Sequence, residues 1–235
     1  MIRELIEAVR EADVYSLIAI IITSAVLFLI CMPSHEFAHA YAAYKLGDPT
    51  AKYQGRLTLN PLKHLDIWGM LMILVIGVGY AKPVPVNMLN FKDRKKDMAL
   101  VAFAGPLMNL LCGIVFVFLN VLTVVIFAKV NIFTELAFNI FNILTYVFST
   151  IANISISLAI FNLIPIPPFD GSRILGYFLP DRIYYKIMQY EHIIFIVVLV
   201  ALWFGFLDGP LSVMMDTITS ALYWLFSLPF GGLFA

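Results

Sequence analysis

The sequence predicts an all-α polytopic membrane protein with about five to six transmembrane helices and a small membrane-associated β segment or re-entrant element. Of its 235 residues, 62% are hydrophobic and 13% are charged, and the mean hydropathy is +0.93. Soluble domains are roughly 45–50% apolar and about 25% charged. The apolar residues form long runs, and a helix needs about 20 of them to cross the hydrocarbon core. The net charge is zero, which suggests no nucleic-acid partner.

The first long helix is predicted over residues 14–46. Residues 14–31 are almost entirely apolar, reading VYSLIAIIITSAVLFLIC, and Gly47-Asp48-Pro49 provides a helix stop. A short amphipathic helix at the membrane surface is predicted before it, over residues 1–12. Its apolar residues recur at helical spacing, at Ile2, Leu5, Ile6 and Val9.

The connection after the first helix is predicted to contain extended segments. Residues 50–60 alternate and contain β-forming residues, and residues 81–91 read as an edge strand because they include Pro83 and Pro85. Residues 67–80 lie between these segments and are apolar, but glycines interrupt them and the run is short for a span. We therefore expect a re-entrant or partly inserted segment there, which is allowed where protein or water covers the backbone.

Four further apolar helices follow a charged cluster at Lys92 to Asp97. The second of them ends in a proline cluster, and Asp208-Gly209-Pro210 separates the last two. These four helices are predicted over residues 97–129, 136–163, 192–207 and 211–229.

Lysine and arginine residues predict how the chain lies in the membrane. Twelve of the fifteen fall in residues 45–63, 82–96 and 173–186, whereas the 130–136 and 208–210 connections contain none. Basic loops remain in the cytoplasm. This distribution predicts an N-terminus outside, five crossings, one re-entrant segment and a C-terminus inside. The inner end of the first crossing then lies on the cytoplasmic side.

The motif His35-Glu36-Phe37-Ala38-His39 lies at that inner end. Histidines at i and i+4 share one face of a helix and can bind one zinc ion, and the adjacent glutamate can act as general base on a metal-bound water. The competing interpretation is a helix with two surface histidines and an unrelated glutamate. An embedded helix favours the metal site, because ionisable groups at membrane depth are costly without a partner.

A catalytic zinc needs a third protein ligand. Asp170 stands out because it follows a proline-rich break, residues 162–169, and precedes Gly171. Irregular backbone within a membrane is tolerated where it lines a polar cavity. The alternative is that Asp170 only caps a helix over residues 171–179. The acidic residues in or near apolar runs are Asp66, Glu135, Asp170, Glu191, Asp208 and Asp216.

The HEFAH and NLIPIPPFDG segments together resemble the site-2 protease family of intramembrane zinc metalloproteases, in the minimal form without a PDZ or CBS domain. The AKPVPVN and NPLKHLD stretches are also similar to that family, and the resemblance covers roughly residues 15–180. It implies a three-helix catalytic core with one Zn²⁺ per chain, bound by His35, His39 and Asp170. It also implies that Glu36 is the catalytic base and that the substrate is a transmembrane helix cut within the bilayer.

The resemblance implies a cell-membrane, multi-pass protein whose partners are a transmembrane protein substrate and the lipid bilayer, with the active site toward the cytoplasm. The predicted division is an amphipathic segment over residues 1–13, a catalytic transmembrane core over residues 14–180 and C-terminal transmembrane helices over residues 181–235. No polar insertion or tail is long enough for the regulatory modules of other family members. An unwound substrate could pair with the extended segments 50–60 and 81–91.

Two alternative functions remain open. One is a non-proteolytic zinc-binding membrane protein that binds transmembrane clients, although such a protein would need no Glu36. The other is a metal transporter, which the single compact site disfavours. Among other polar residues, Asn162 is predicted to contact substrate or the metal site, or to form a helix–helix hydrogen bond. Asn109 is predicted to pack between helices, with an inward polar role as the alternative. His64 is predicted to bond Asp66 or the backbone, the alternative being that it approaches the site from the loop.

Overall fold

All regular structure in the computed structural model is helical among the residues that it describes, which are 6, 8–11, 13–64, 82–130 and 134–231, without the side chain of Trp203. Four helices are long and apolar enough to cross a membrane. They are α1 (Val14–Lys45), α3 (Arg94–Val130), α4 (Glu135–Leu163) and α8 (Asp208–Ser227), which a 3-10 turn extends to Phe230. The shorter helices are α2 (Thr50–Tyr53), α5 (Asp170–Phe178), α6 (Asp181–Gln189) and α7 (Glu191–Trp203).

Local sequence signals set the limits of α1. The Asp13 carboxylate accepts hydrogen bonds from two N–H groups of the first turn, those of Tyr15 and Ser16, at 3.1 and 3.2 Å. The helix ends at Lys45, directly before the predicted stop. A π-helical turn, Leu27–Cys31, interrupts the α-helical ladder. This wider turn lies just before Pro33, which has no N–H to continue the ladder.

Helix α3 is the centre of the bundle, packed against α1, α4, α5 and α8. On one side Val117 of α3 meets Ile156 and Ile160 of α4, and α8 covers this cluster. On another side Met98 and Val101 of α3 pack against α1. Lipid tails are as apolar as these side chains, so close packing rather than removal from water holds the helices together. The arrangement brings the C-terminal half of α1 against the first half of α3.

The described residues support a multi-pass protein with four spans, or five if a bent pair counts as one. The crossing predicted over residues 192–207 corresponds to α7, whose 13 residues are about 20 Å long. The hydrocarbon core is about 30 Å thick. Helices α6 and α7 form a pair bent by 65°, which is a broken span or a re-entrant loop. The predicted re-entrant segment 67–80 lies outside the described residues.

The predicted β segment is wrong for residues 50–60. The chain forms α2 there and then a series of turns, because the buried Asp48 accepts hydrogen bonds from the N–H and hydroxyl of Thr50 and starts a helical turn. Residues 82–87 have no ladder partner among the described residues, and Met88–Asn90 is a 3-10 helix. Side chains bind the N–H groups of Val84 and Asn87, and the N–H of Lys82 donates to a single carbonyl oxygen of a loop, that of His64.

Candidate metal centre

Helix α1 places the two histidines and the glutamate of the HEFAH motif inside the bundle. His39 and Glu36 are 8% and 9% exposed. His35 and His39 are one helical turn apart, so their rings lie on the same face of α1. The two Nε2 atoms are 3.0 Å apart. Both rings therefore direct a nitrogen toward one point.

Asp170 completes a group of three donor atoms. Its Oδ2 lies 3.4 Å from His35 Nε2 and 3.2 Å from His39 Nε2. Tetrahedral zinc ligands, at about 2.0–2.2 Å from the ion, are about 3.3 Å from one another. The separations and the donor set of two imidazoles and one carboxylate fit zinc with an open fourth position. It is the one such group of three found in the described part of the chain.

The ring of His39 is oriented by the backbone of α3. Its Nδ1 lies 2.7 Å from the Val101 carbonyl oxygen. A carbonyl oxygen can only accept, so Nδ1 carries the hydrogen and the Nε2 lone pair faces the donor group. Such outer hydrogen bonds fix the tautomer of a metal ligand. His35 Nδ1 is buried and has no hydrogen-bond partner among the described residues.

The proline-rich break brings Asp170 to the histidines. Helix α4 ends at Leu163, and α5 begins at Asp170. A Cβ on Gly171 would lie 2.3 Å from the Leu163 carbonyl oxygen, so only glycine permits the start of α5 to approach the end of α4 this closely. The capping alternative is wrong, because Phe169 occupies the N-cap position and no side chain caps α5. The Asp170 carboxylate faces the histidines instead.

Gly105 of α3 forms one wall of the metal site, and the sequence interpretation missed it. A Cβ at this position would lie 2.3 Å from His39 Nε2 and 2.6 Å from His35 Cε1. The backbone of α3 therefore touches both imidazoles, and a side chain on Gly105 would occupy the donor group. The Gly105-Pro106 pair within an apolar helix signals a close backbone approach. It does not reveal which residues approach.

Glu36 is held from outside the helix bundle. Its Oε2 accepts a hydrogen bond of 3.0 Å from the N–H of Val84, in the extended segment 82–87. Val84 lies between Pro83 and Pro85, which have no N–H, so it is the one donor among these three residues. This contact was also missed, because a backbone N–H has no signature in a sequence.

Comparison with known proteins assigns the sequence to a family. A model of peptidase family M50 matches residues 23–206. The chain is 40% identical over 175 residues to a candidate zinc metalloprotease of Bacillus subtilis (strain 168), YwhC, across 74% of this chain and 77% of YwhC. It is 26% identical over 157 residues to a candidate zinc metalloprotease of Mycolicibacterium smegmatis, Rip2, across 65% of this chain and 54% of Rip2. No solved structure matches it.

The chain belongs to peptidase family M50. The matched residues, 23–206, include the HEFAH motif and Asp170, so all three donor atoms lie within the match. M50 is the family of the site-2 proteases, and the predicted resemblance is confirmed. Membership and the two relatives identify a multi-pass membrane metalloprotease with Zn²⁺ as the implied cofactor. The His35, His39 and Asp170 group is the candidate site for that ion.

In this M50 chain, Asp48 holds one end of the segment that contacts Glu36. Its carboxylate accepts hydrogen bonds of 2.7 Å from the N–H of Asn87 and the side-chain amide of Asn90, and it also binds Thr50. Burial raises the pKa of Asp48, but the hydrogen bonds from Thr50, Asn90 and Asn87 outweigh burial and lower the pKa below its usual value. Asp48 is therefore an ionised anchor for residues 82–90.

Arg56 and His64 hold the other end of the same segment. The N–H of Lys82 donates to the His64 carbonyl oxygen at 2.9 Å, and the Arg56 guanidinium donates to the Lys82 carbonyl oxygen. His64 is fully buried, and its Nε2 lies 2.7 Å from the Thr58 carbonyl oxygen. The predicted backbone hydrogen bond of His64 is confirmed. Asp66, the alternative partner, lies outside the described residues.

The remaining predicted polar residues do not join the donor group. Asn162 donates from Nδ2 to the Leu158 carbonyl oxygen at 2.9 Å, a bond within α4 and not between helices. Asn109 is 1% exposed, one turn from Gly105, and its Oδ1 has no partner among the described residues. Of the acidic residues that the sequence offered as a third ligand, those that are described and lie outside the donor group are Glu135, Glu191, Asp208 and Asp216.

Proposed function

We propose that the chain is an intramembrane zinc endopeptidase that hydrolyses peptide bonds within transmembrane segments of membrane proteins. One observation carries the proposal: His35 and His39 of α1 and Asp170 of α5 converge on one point, and Glu36 lies beside it. Both α1 and α4, the helix that precedes α5, are long and apolar enough to span a membrane. A hydrolytic site on such helices suits a substrate that is itself a transmembrane helix.

The proposed roles follow from the chemistry of these side chains. When bound, zinc supplies a Lewis acid and lowers the pKa of a water molecule to about 7. Glu36 accepts the proton of the attacking water on a carboxylate oxygen and then delivers it to the leaving amide nitrogen. His39 stays oriented by its hydrogen bond to Val101, which preserves the donor geometry during the reaction.

The extended segment 82–87 is the proposed place for an unwound substrate. A helical peptide bond is shielded by its own hydrogen-bond ladder, so cleavage requires local unwinding. This segment presents backbone next to Glu36, to which an extended peptide can add by main-chain hydrogen bonds. Asn162, half-buried near the end of α4, is a proposed substrate contact. Its replacement by alanine should raise KM without changing zinc content, and an unchanged KM would remove it from the site.

The proposed orientation puts the site near the cytoplasmic face. The donor helix α1 ends at Lys45, and the connection beyond it contains Lys52, Arg56 and Lys63. Basic connections remain in the cytoplasm. Labelling of single cysteines placed at Lys63 and at Thr134 with a membrane-impermeant reagent, in intact cells, tests this orientation. Labelling of position 63 from outside would reverse it.

Glu36→Gln is the direct test of proteolysis. In proteoliposomes with a transmembrane reporter substrate, this variant should lose cleavage by at least about 100-fold while its zinc content stays at the wild-type level. Glu135→Gln is the matched control, because Glu135 is an exposed acid at the start of α4. Full cleavage by Glu36→Gln would overturn the proton-transfer role. A wild type that binds zinc and reporter without cutting would support the non-proteolytic alternative.

A further inference from the structure

A basic cleft lies between the start of α3 and the helices α5 and α6. It has a volume of about 580 Å³. We call it the basic cleft because four cations line it together with apolar and aromatic side chains. The cations are Lys92, Arg94, Lys95 and Arg173, and the other side chains used below are Leu89 and Tyr184.

The walls of the basic cleft are fixed by direct contacts between elements. Lys95 Nζ donates to the Leu179 carbonyl oxygen at 2.7 Å and pairs with the Asp181 carboxylate at 2.6 Å. These two bonds tie the first turn of α3 to the α5–α6 junction. A Cβ on Gly176 would lie 2.6 Å from the Tyr184 ring, so α5 and α6 are also in close contact. The cleft is therefore built by packed elements.

The positive charges in the basic cleft exceed the negative ones. Asp181 pairs with Lys95, and Asp93 accepts a hydrogen bond from the N–H of Lys96 at the start of α3. The side chains of Lys92, Arg94 and Arg173 make no ion pair or hydrogen bond with the described residues. Four cations and two carboxylates line the cleft, so it has an excess of two positive charges, which attracts an anion.

The surroundings of the basic cleft place it at a membrane surface. Helix α3 begins at Arg94 and becomes apolar within its second turn, so its charged start lies where the span meets water. Helix α6 is amphipathic, with Ile183 and Ile187 on one face and charged side chains on the other. Tyr184 and the exposed Leu89 give the cleft an apolar side. The basic cleft can therefore accommodate an anionic group and an apolar chain together.

We propose that the basic cleft binds the headgroup of an anionic phospholipid. The phosphate diester lies among Lys92, Arg94 and Arg173, and Leu89 contacts the first part of an acyl chain. Basic pockets between membrane helices are sites for anionic headgroups. A lipid is favoured over an acidic peptide segment because the cleft is partly apolar and level with the membrane surface. Arg173 is three residues from Asp170 on α5, so the bound lipid also supports the helix that carries this donor.

Native mass spectrometry of the full-length protein in detergent tests the proposal. Phosphatidylglycerol and phosphatidylcholine with identical acyl chains are added separately, and bound lipid is counted. Wild type should retain far more phosphatidylglycerol than phosphatidylcholine, and Lys92→Gln/Arg173→Gln should reduce this preference by about 25-fold, since each cation near the surface contributes about fivefold. Lys63→Gln/Lys96→Gln removes the same charge outside the cleft and should keep the preference. Unchanged zinc content and elution volume establish that each variant is folded.

Four results would overturn the proposal. The first is equal retention of both lipids by wild type, and the second is equal loss of preference in both double variants, which indicates general charge attraction. The third comes from a competition experiment with inorganic phosphate or a glutamate-rich peptide. If either one displaces phosphatidylglycerol and binds the wild-type protein more strongly than the lipid does, the basic cleft belongs to that ligand. Retention of the preference by Lys92→Gln/Arg173→Gln would place the lipid elsewhere.

Discussion

The metal donors and the backbone that touches Glu36 are held in different ways. His35 and His39 project from the long helix α1 and Asp170 from the start of the short helix α5, all packed against α3, and the α3 backbone at Gly105 presses against both rings. The segment 82–90 is held mainly by hydrogen bonds to Asp48, Arg56, His64 and Glu36, with Val86 and Met88 also packed against α1 and α3. The two parts meet at the candidate metal site, where Glu36 lies beside the donor group and contacts Val84.

This difference separates a fixed part of the site from a part that can move. Displacing a donor means unpacking helices. Releasing the segment 82–90 means breaking a few hydrogen bonds, each with a net value of about 1 kcal/mol, and separating the half-buried Val86 and Met88 from the cluster between α1 and α3. Regions with few packed contacts are where local opening occurs. We therefore expect this segment to open for a substrate while the donors stay in place.

The largest effect is expected from Gly105→Ala. The new Cβ would overlap the donor atom His39 Nε2, and the hydrogen bond to Val101 prevents that ring from turning away. Zinc affinity and cleavage should both fall by about 100-fold, measured by metal analysis and a reporter assay. Gly209→Ala is the control, because a Cβ there meets no atom within 4 Å. Normal zinc content in Gly105→Ala would show that the donors are not fixed.

A smaller effect is expected from Val84→Pro, which removes the N–H that binds Glu36. The donors are untouched, so zinc content should be unchanged while kcat/KM falls about tenfold, the value of a hydrogen bond to a charged group. Val86→Pro serves as the comparison, because the N–H of Val86 bonds no described residue. Equal losses in both variants would mean that the backbone shape, and not the bond to Glu36, matters.

The smallest effect on cleavage is expected from Asp48→Ala, which acts on stability. Four donor groups, belonging to Thr50, Asn87 and Asn90, lose their acceptor, and the free energy of unfolding should fall by about 2–4 kcal/mol, seen as a lower Tm. The pKa of Asp48 is lowered in the folded state, below an unfolded value of about 3.9. Its stabilisation is therefore complete above about pH 4 and is lost as the pH falls through the folded-state pKa.

Thermal unfolding measured across the acid pH range tests this direction of the pH dependence of stability. Wild type and Asp48→Ala should differ in Tm at neutral pH and converge below about pH 4. Asp181→Ala, which removes a mainly exposed ion pair with Lys95, should change Tm little, since such pairs contribute about 0–1 kcal/mol. A Tm difference that stays constant to the lowest pH would contradict the role of the Asp48 carboxylate.

The predictable part of the site is the part carried by side chains at helical spacing. The i, i+4 histidines and the proline break before Asp170 indicated three donors, although several other acids remained possible. Among the described residues, distance alone left Glu135, Glu191, Asp208 and Asp216 outside the donor group, and distances depend on the whole bundle. Helix positions followed from apolar runs, whereas residues 50–60 were predicted as a strand from local alternation. The carboxylate of Asp48, buried by tertiary packing, overrides that preference.

Gly105 and Val84 could not be identified for a related reason. Their contributions are a missing Cβ and a backbone N–H, and neither leaves a chemical signature in the sequence. A glycine in an apolar helix has many ordinary packing explanations. The contact between segment 82–87 and Glu36 joins residues 48 positions apart, so no local pattern contains it.

Zinc stoichiometry of purified protein, compared between wild type and Asp170→Ala, tests the central claim most directly. The account predicts one zinc per wild-type chain and a sharply weakened affinity in Asp170→Ala. Asp216→Ala, which removes an exposed acid of α8, should bind zinc as wild type does. Undiminished zinc binding by Asp170→Ala would contradict the three-donor site, and a wild type that binds no zinc after reconstitution would contradict the proposed protease itself.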